Sequence, residues 1–395
     1  MRLAHLADIH LGFRQYYRQT ASGINQREAD VANAFRRAID GVILAAPDLV
    51  LVAGDLFHAV RPSNQSIVFC FREFQRLKVA LPNAKVLLIA GNHDTPRATE
   101  TGSILRLFAE LGIEVLAEGA QDLVFPEHDL LLRALPHQAL ASGERPNLRA
   151  PRKHRYEVLV AHGEVEGLWP LEKWWAEPGG ALIDPGELAE GGWTYVALGH
   201  YHVIREVRPG VWYSGALDYV TLNPWGELTE QQKTGVKGKG WLLADLDQAP
   251  VTPIPQYVAA ARGIYDLKAI SGRDLTAAEL DAQIAQRLAA VPGGIADQII
   301  RLVVHDVPRH VAREVDHAAI RAAKASALHF HLDLRRPDAA RTIGVGAPGP
   351  RQTLSDVLRV FLARRPLPEK VDRDRFVERG VALLDAVGYE PGPGG

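Results

Sequence analysis

Pro47-Asp48-Leu49-Val50-Leu51-Val52-Ala53-Gly54-Asp55 is an apolar run of strand length that stops at a glycine and a carboxylate. Apolar on consecutive rather than alternate positions, it reads as a strand buried on both faces. The pattern recurs through the first half of the chain. Residues 1–7 run into Asp8-Ile9-His10, and Lys85-Val86-Leu87-Leu88-Ile89-Ala90 runs into Gly91-Asn92-His93-Asp94. Glu157-Val158-Leu159-Val160-Ala161 runs into His162-Gly163, and Tyr195-Val196-Ala197-Leu198 into Gly199-His200-Tyr201-His202. Amphipathic stretches at 26–46 and 64–78 read as helices, the second with Ser63 or Asn64 as its N-cap. This alternation predicts an α/β layered core. After Gly199 the pattern turns to hairpins at 203–207, 211–214 and 241–246. That predicts a second, more antiparallel sheet and hence an αββα sandwich.

A composition shift at residues 248–255, with three prolines, marks an expected domain boundary after residue 247. A smaller α/β unit is predicted at 256–336: strands at 264–270, 298–304 and 328–334, helices at 274–290 and 317–325. Gly344-Val345-Gly346-Ala347-Pro348-Gly349-Pro350 reads as a linker. Helical periodicity at 353–363 and 374–386 predicts a terminal helical pair within 351–389.

At 395 residues, 47% hydrophobic and 23% charged, the composition is that of an ordinary folded protein with material for more than one domain. The lone Cys70, within Ile67-Val68-Phe69-Cys70-Phe71, excludes an internal disulfide, suits a reducing cytoplasm and reads as a packing residue. No run of 18 apolar residues exists, so no membrane span is expected, and the first residues read as a strand rather than a signal peptide. A net charge of −2 argues against tight, independent binding to duplex DNA. It does not exclude a nuclease, because bound divalent metals bring their own charge.

Ligands of open α/β sheets gather beyond the carboxyl ends of the strands. Here those ends carry Asp8, His10, Asp55, Asn92, His162, His200 and His202. In an extended chain residues i and i+2 point the same way, so Asp8 with His10, and His200 with His202, are expected to aim into one site. Gly54, Gly91, Gly163 and Gly199 fit tight turns beside the ligands. Two aspartates, one asparagine and four histidines suit manganese, iron or zinc better than magnesium or calcium. Seven ligands crowd one ion. Two ions roughly 3.5–4 Å apart, bridged by a carboxylate, fit better and would clamp a phosphate for in-line attack. Asp55 is the natural bridge. His93 is expected to face the substrate as a general acid or charge stabiliser, with Asp94 orienting its ring and His58 as a second nearby imidazole. His5, His128, His137, His154, His305, His310, His317, His329 and His331 lie outside these motifs and read as structural or surface residues.

The motif set resembles the calcineurin-like metallophosphoesterases. Within them, Asp8-Ile9-His10-Leu11-Gly12-Phe13, Gly54-Asp55-Leu56-Phe57-His58 and Gly199-His200-Tyr201-His202 look like the Mre11/SbcD DNA-repair nucleases, as do residues 27–39 and Lys239-Gly240-Trp241-Leu242-Leu243. The resemblance covers about residues 1–245. It implies a metallophosphoesterase sandwich (1–247), a capping domain (256–336) and a segment (351–389) that docks on a Rad50/SbcC-type ATPase. It also implies two Mn2+ ions: one on Asp8, His10, Asp55 and His202, the other on Asp55, Asn92, His162 and His200. His93 would assist the leaving group and His58 would place the phosphate. The implied activity is manganese-dependent DNA cleavage, 3′-to-5′ exonuclease and single-strand or hairpin endonuclease, in a homodimer.

Two features depart from the family pattern: an insertion at 166–192 carrying Trp169, Trp174 and Trp175, and Tyr213-Ser214-Gly215-Ala216-Leu217-Asp218. Arg14, Tyr16, Tyr17 and Arg18, directly after His10, could contact phosphates and stack on bases. The rival readings are a phosphodiesterase or phosphatase acting on small phosphoesters, which would share the metal site, and a non-catalytic scaffold, which would require lost ligands.

Overall fold

The structure is a computed structural model that describes residues 1–96, 102–142, 146–168, 179–337, 354–363, 365, 367 and 371–386. It divides into two compact units, residues 1–335 and 336–395.

Two six-stranded sheets form the core of the first unit. One runs Ile254–Tyr257, Gly240–Asp245, Arg2–Leu6, Leu49–Ala53, Lys85–Ile89, Glu114–Leu116; the other runs Arg205–Arg208, Val211–Tyr213, Tyr195–Gly199, Tyr156–His162, Leu130–Leu135, Gln121–Phe125. Period-two alternation builds the layers. Leu49, Leu51 and Ala53 turn inward, with Leu3, Leu87 and Ile89, onto Leu132, Ala134, Val158, Val160 and Ala197 of the other sheet. Val50 and Val52 turn outward onto Val31, Phe35, Ile39, Cys70, Phe74 and Leu77 of two helices, Gln26–Ala45 and Asn64–Ala80. Ser63 caps the second helix by accepting from the Ser66 amide. The far face of the second sheet, including Leu159, Ala161, Val196 and Leu198, packs against Leu148, Ile183 and Leu188. Short helices at His137–Ala141 and Pro185–Glu190 lie on that side of the chain's path. The fold is a layered α/β sandwich of two stacked sheets with helices on the outer faces.

Two sequence expectations change. The second sheet is not mainly antiparallel: Leu130–Leu135, Tyr156–His162, Tyr195–Gly199 and Val211–Tyr213 are mutually parallel, with antiparallel strands only at its edges. Gly240–Asp245 joins the first sheet instead, antiparallel to Arg2–Leu6. Its side chains dictate this, because Trp241 packs into the helix-side core and Ala244 into the inter-sheet core. Ile254–Tyr257 then pairs with it, so the first sheet continues past the proline-rich stretch read as a boundary.

The smaller α/β part is a parallel sheet of Ile264–Ser271, Ile299–His305 and His329–Leu334 with its own apolar cluster. Its helix Ala277–Ala289 starts at a capping box of Thr276 and Glu279. The second unit holds helices Leu354–Ala363 and Arg373–Ala386, with Val377 and Val381 buried. The expected linker at 344–350 and the three insertion tryptophans lie outside the described residues. No helix among the described residues is long and apolar enough to cross a membrane.

Candidate metal centre

The strand ends bring all seven expected ligands together. Asp8, His10 and His202 form one cluster and Asp55, His162 and His200 another; within each, one ligand atom per residue lies within 4.8 Å of the others, and all six are buried. Asp55 Oδ2 links the clusters, 3.2 Å from His162 Nε2 and 3.7 Å from His10 Nε2. Asn92 Oδ1 sits 3.0 Å from His162 Nε2 and 3.2 Å from His200 Nδ1. His10 Nε2 faces His202 Nε2 at 3.2 Å.

The backbone reaches this arrangement differently from the expectation. Asp8, His10, Asp55 and His200 have φ of 51°, 52°, 51° and 103°, so extended-chain alternation is not what aims them. Left-handed backbone is costly for most side chains and least so for Asp, Asn and His. The glycines also serve another purpose, letting the two sheets' ends approach. A Cβ on Gly199 would lie 1.9 Å from the Ala53 carbonyl oxygen, and one on Gly54 would lie 2.2 Å from His162 Nδ1.

These residues fit a pair of cations. The His162 Nδ1–H donates to the Ala53 carbonyl oxygen at 2.8 Å, so Nε2 of the neutral ring presents a lone pair. Nε2, which carries a proton where no cation is bound, faces the Asp55 carboxylate and the Asn92 oxygen. The buried Oδ2 of Asp8 has no hydrogen-bond partner. Buried acceptors that face acceptors are costly unless positive charge lies between them. Burial alone would lower the His162 pKa, but Asp55, by charge and hydrogen bond, and then Asp8 raise it to about 9. Burial pushes Asp8 up to about 6, against the pull of His202 and His162. Burial also acts to raise Asp55, yet His162, His10 and His93 hold it well below the usual carboxylate range. The field of the site draws in positive charge.

His93 and His58 stand beside the clusters. Their rings stack at 5.1 Å, and His58 Nδ1 lies 3.2 Å from His10 Nδ1. The His93 Nδ1–H donates to the His58 carbonyl oxygen at 2.8 Å. The Asp94 carboxylate accepts from the backbone amides of Leu56 and Phe57 at 3.0 Å and of Gly91 at 3.2 Å, tying the two loops together.

The loop after His10 divides between the smaller α/β part and the surface. Tyr16 stacks on His329 of the smaller α/β part at 4.1 Å and 14°. Arg18 pairs with Asp297 and donates to the Ala325 carbonyl oxygen. Arg14, paired with Glu28, and Tyr17, 102% exposed, remain on the surface.

Sequence reading missed Glu227 and the role of Lys239. Glu227 lies buried on helix Pro224–Lys233, with Oε1 3.6 Å from His202 Nδ1, and it pairs with buried Lys239, which also donates to the His202 carbonyl oxygen at 2.6 Å. Burial works against ionisation, but Lys239 and His202 bring Glu227 down to about 2. A carboxylate on the outer nitrogen of a ligand histidine fixes the ring's orientation. The only sequence signal was two acidic residues on an otherwise ordinary helix.

A fold of two stacked sheets with paired carboxylate–imidazole clusters at the strand ends defines a metal-dependent phosphoesterase. The calcineurin-like phosphoesterase model matches residues 1–223, and the chain belongs to that family, whose members hold a dinuclear metal centre. Among curated proteins it is similar to the DNA double-strand break repair protein Mre11 of Methanocaldococcus jannaschii, 26% identical over 254 residues, 62% of each chain. The corresponding protein of Methanosarcina mazei is 24% identical over 358 residues, 80% of this chain and 54% of that one. The match thus spans under two thirds of the length of these relatives.

Proposed function

We propose that this chain is a DNA nuclease of the Mre11/SbcD kind, processing DNA ends in repair with manganese in both sites. The observation that carries the reading is the pair of ligand clusters joined at Asp55, with His58 and His93 alongside, in a chain similar to DNA repair proteins. Asp8, His10, Asp55 and His202 would hold one ion, and Asp55, Asn92, His162 and His200 the other. The ions would supply Lewis-acid polarisation of the phosphoryl oxygens. His93, its ring fixed by the His58 carbonyl oxygen, would give a proton to the leaving oxygen. His58 would help place the scissile phosphate. Tyr17 and Arg14 are the candidates for contact with unpaired bases and backbone.

The finer reading follows the family resemblance: 3′-to-5′ exonuclease with single-strand or hairpin endonuclease action, in a cytoplasmic homodimer. Residues 256–336 would cap the site, and 351–389 would dock on a Rad50/SbcC-type ATPase. The test is cleavage of labelled duplex, single-stranded and hairpin DNA by chelator-treated protein reloaded with manganese. Faster turnover of a small nucleotide diester than of any DNA would favour the small-phosphoester reading instead.

A further inference from the structure

A cavity of about 460 Å³ opens beside the clusters, with Asn92, His93, Thr95, Pro96 and His137 in its wall. His137 is not among the strand-end ligands. It begins the short helix His137–Ala141 just after strand Leu130–Leu135, and its amide donates to the Ala90 carbonyl oxygen at 2.9 Å. That bond ties it to the strand end that carries Asn92.

The ring is half-buried, and its Nδ1 is fully buried with no hydrogen-bond partner. An imidazole must carry a proton on at least one nitrogen. A proton on Nδ1 would bury a donor with nothing to accept it, so the proton belongs on Nε2. The ring lines the cavity while Nδ1 stays buried, which leaves the edge that carries Nε2 for the cavity.

We propose that His137 is a substrate-contacting residue whose Nε2–H donates to a non-bridging oxygen of the phosphoester held between Asn92 and His93. This rests on the phosphoesterase reading above. The role differs from that of His93: His137 binds the phosphate and transfers no proton.

The test uses the full chain loaded with manganese and inorganic phosphate as probe. Calorimetry should give a phosphate affinity about tenfold weaker in His137→Ala, the cost of one lost hydrogen bond to a charged group. His137→Gln, which carries an amide donor near the Nε2 position, should recover most of it, and manganese content should stay at the wild-type level in both. If His137→Ala does not fold, His137→Gln against His137→Asn carries the comparison, with Asn expected to bind weakly. In metal-free protein, the ¹⁵N shifts of His137 should report the Nε2–H tautomer. Equal phosphate affinity in wild type and His137→Ala, loss of manganese on substitution, or an Nδ1–H tautomer would each overturn the proposal. Phosphate binding through His137 in a protein that cleaves no DNA would sink the nuclease reading alone.

Discussion

Acidification is predicted to unfold this protein partly through a histidine that is no ligand. His5 is fully buried between the sheets, with Nδ1 3.1 Å from the Tyr195 hydroxyl and Nε2 3.2 Å from the Leu198 carbonyl oxygen. Burial lowers its pKa from 6.5 to about 3. The folded pKa lies below the unfolded one, so the folded chain refuses a proton that the unfolded chain accepts. Stability is whole above pH 6.5 and is lost as pH falls toward 3. At pH 5, about 1.5 pH units below the unfolded value, the loss is about 2 kcal/mol at roughly 1.4 kcal/mol per unit. The contact matters to the site because Leu198 precedes Gly199 and His200. The assay compares wild type with His5→Gln, both chelator-treated, by urea unfolding at pH 7.5 and pH 5.0 followed by near-ultraviolet circular dichroism. The wild type should lose about 2 kcal/mol more than the variant between the two pH values. An identical loss in both proteins, or a His5 ring resonance that titrates near its unfolded value, would refute the reasoning.

Other outcomes follow from the site. His93→Ala should keep its metal and lose about 10²–10⁴-fold in hydrolysis, read from metal analysis and DNA cleavage together. Glu227→Gln should weaken metal binding by about 10–100-fold through His202, measured by competition with a chelator; an unchanged affinity would remove Glu227 from the site. Gly199→Ala, whose Cβ would meet the Ala53 carbonyl oxygen at 1.9 Å, should cost about 3 kcal/mol in stability, visible as a lowered melting temperature in the metal-free protein.

The clustering of the candidate ligands was legible because Asp, Asn and His after short apolar runs are a signal of residue type, which needs no knowledge of backbone angles. The way they are aimed was not legible. Asp8 and His10 look like alternate positions of a strand, but the strand ends at Leu6 and both residues are left-handed. The helices at 26–45 and 64–80 were readable from their apolar stripes, and Ser63 from its position before one. The pairing of Gly240–Asp245 with Arg2–Leu6 was not, because local pattern carries no information about a partner more than 200 residues away. Tyr16 and Arg18 misled for the same reason: a basic, aromatic loop looks like a nucleic-acid contact until its partners, His329 and Asp297, are in place. His137 was passed over because its signal is an unmatched ring nitrogen, which exists only in three dimensions.

The left-handed residues also restrict which substitutions the site can accept. At positions 8, 10, 55 and 200 a valine, isoleucine or threonine would meet a backbone conformation that β-branched residues avoid. Asparagine tolerates that conformation and carries no charge. Substitution to asparagine at 8 or 55 is therefore the route by which descendants of this chain could lose the ions and keep the fold. Among related sequences, asparagine at either position is expected where hydrolysis has been lost, and a branched aliphatic residue where the loop has been rebuilt.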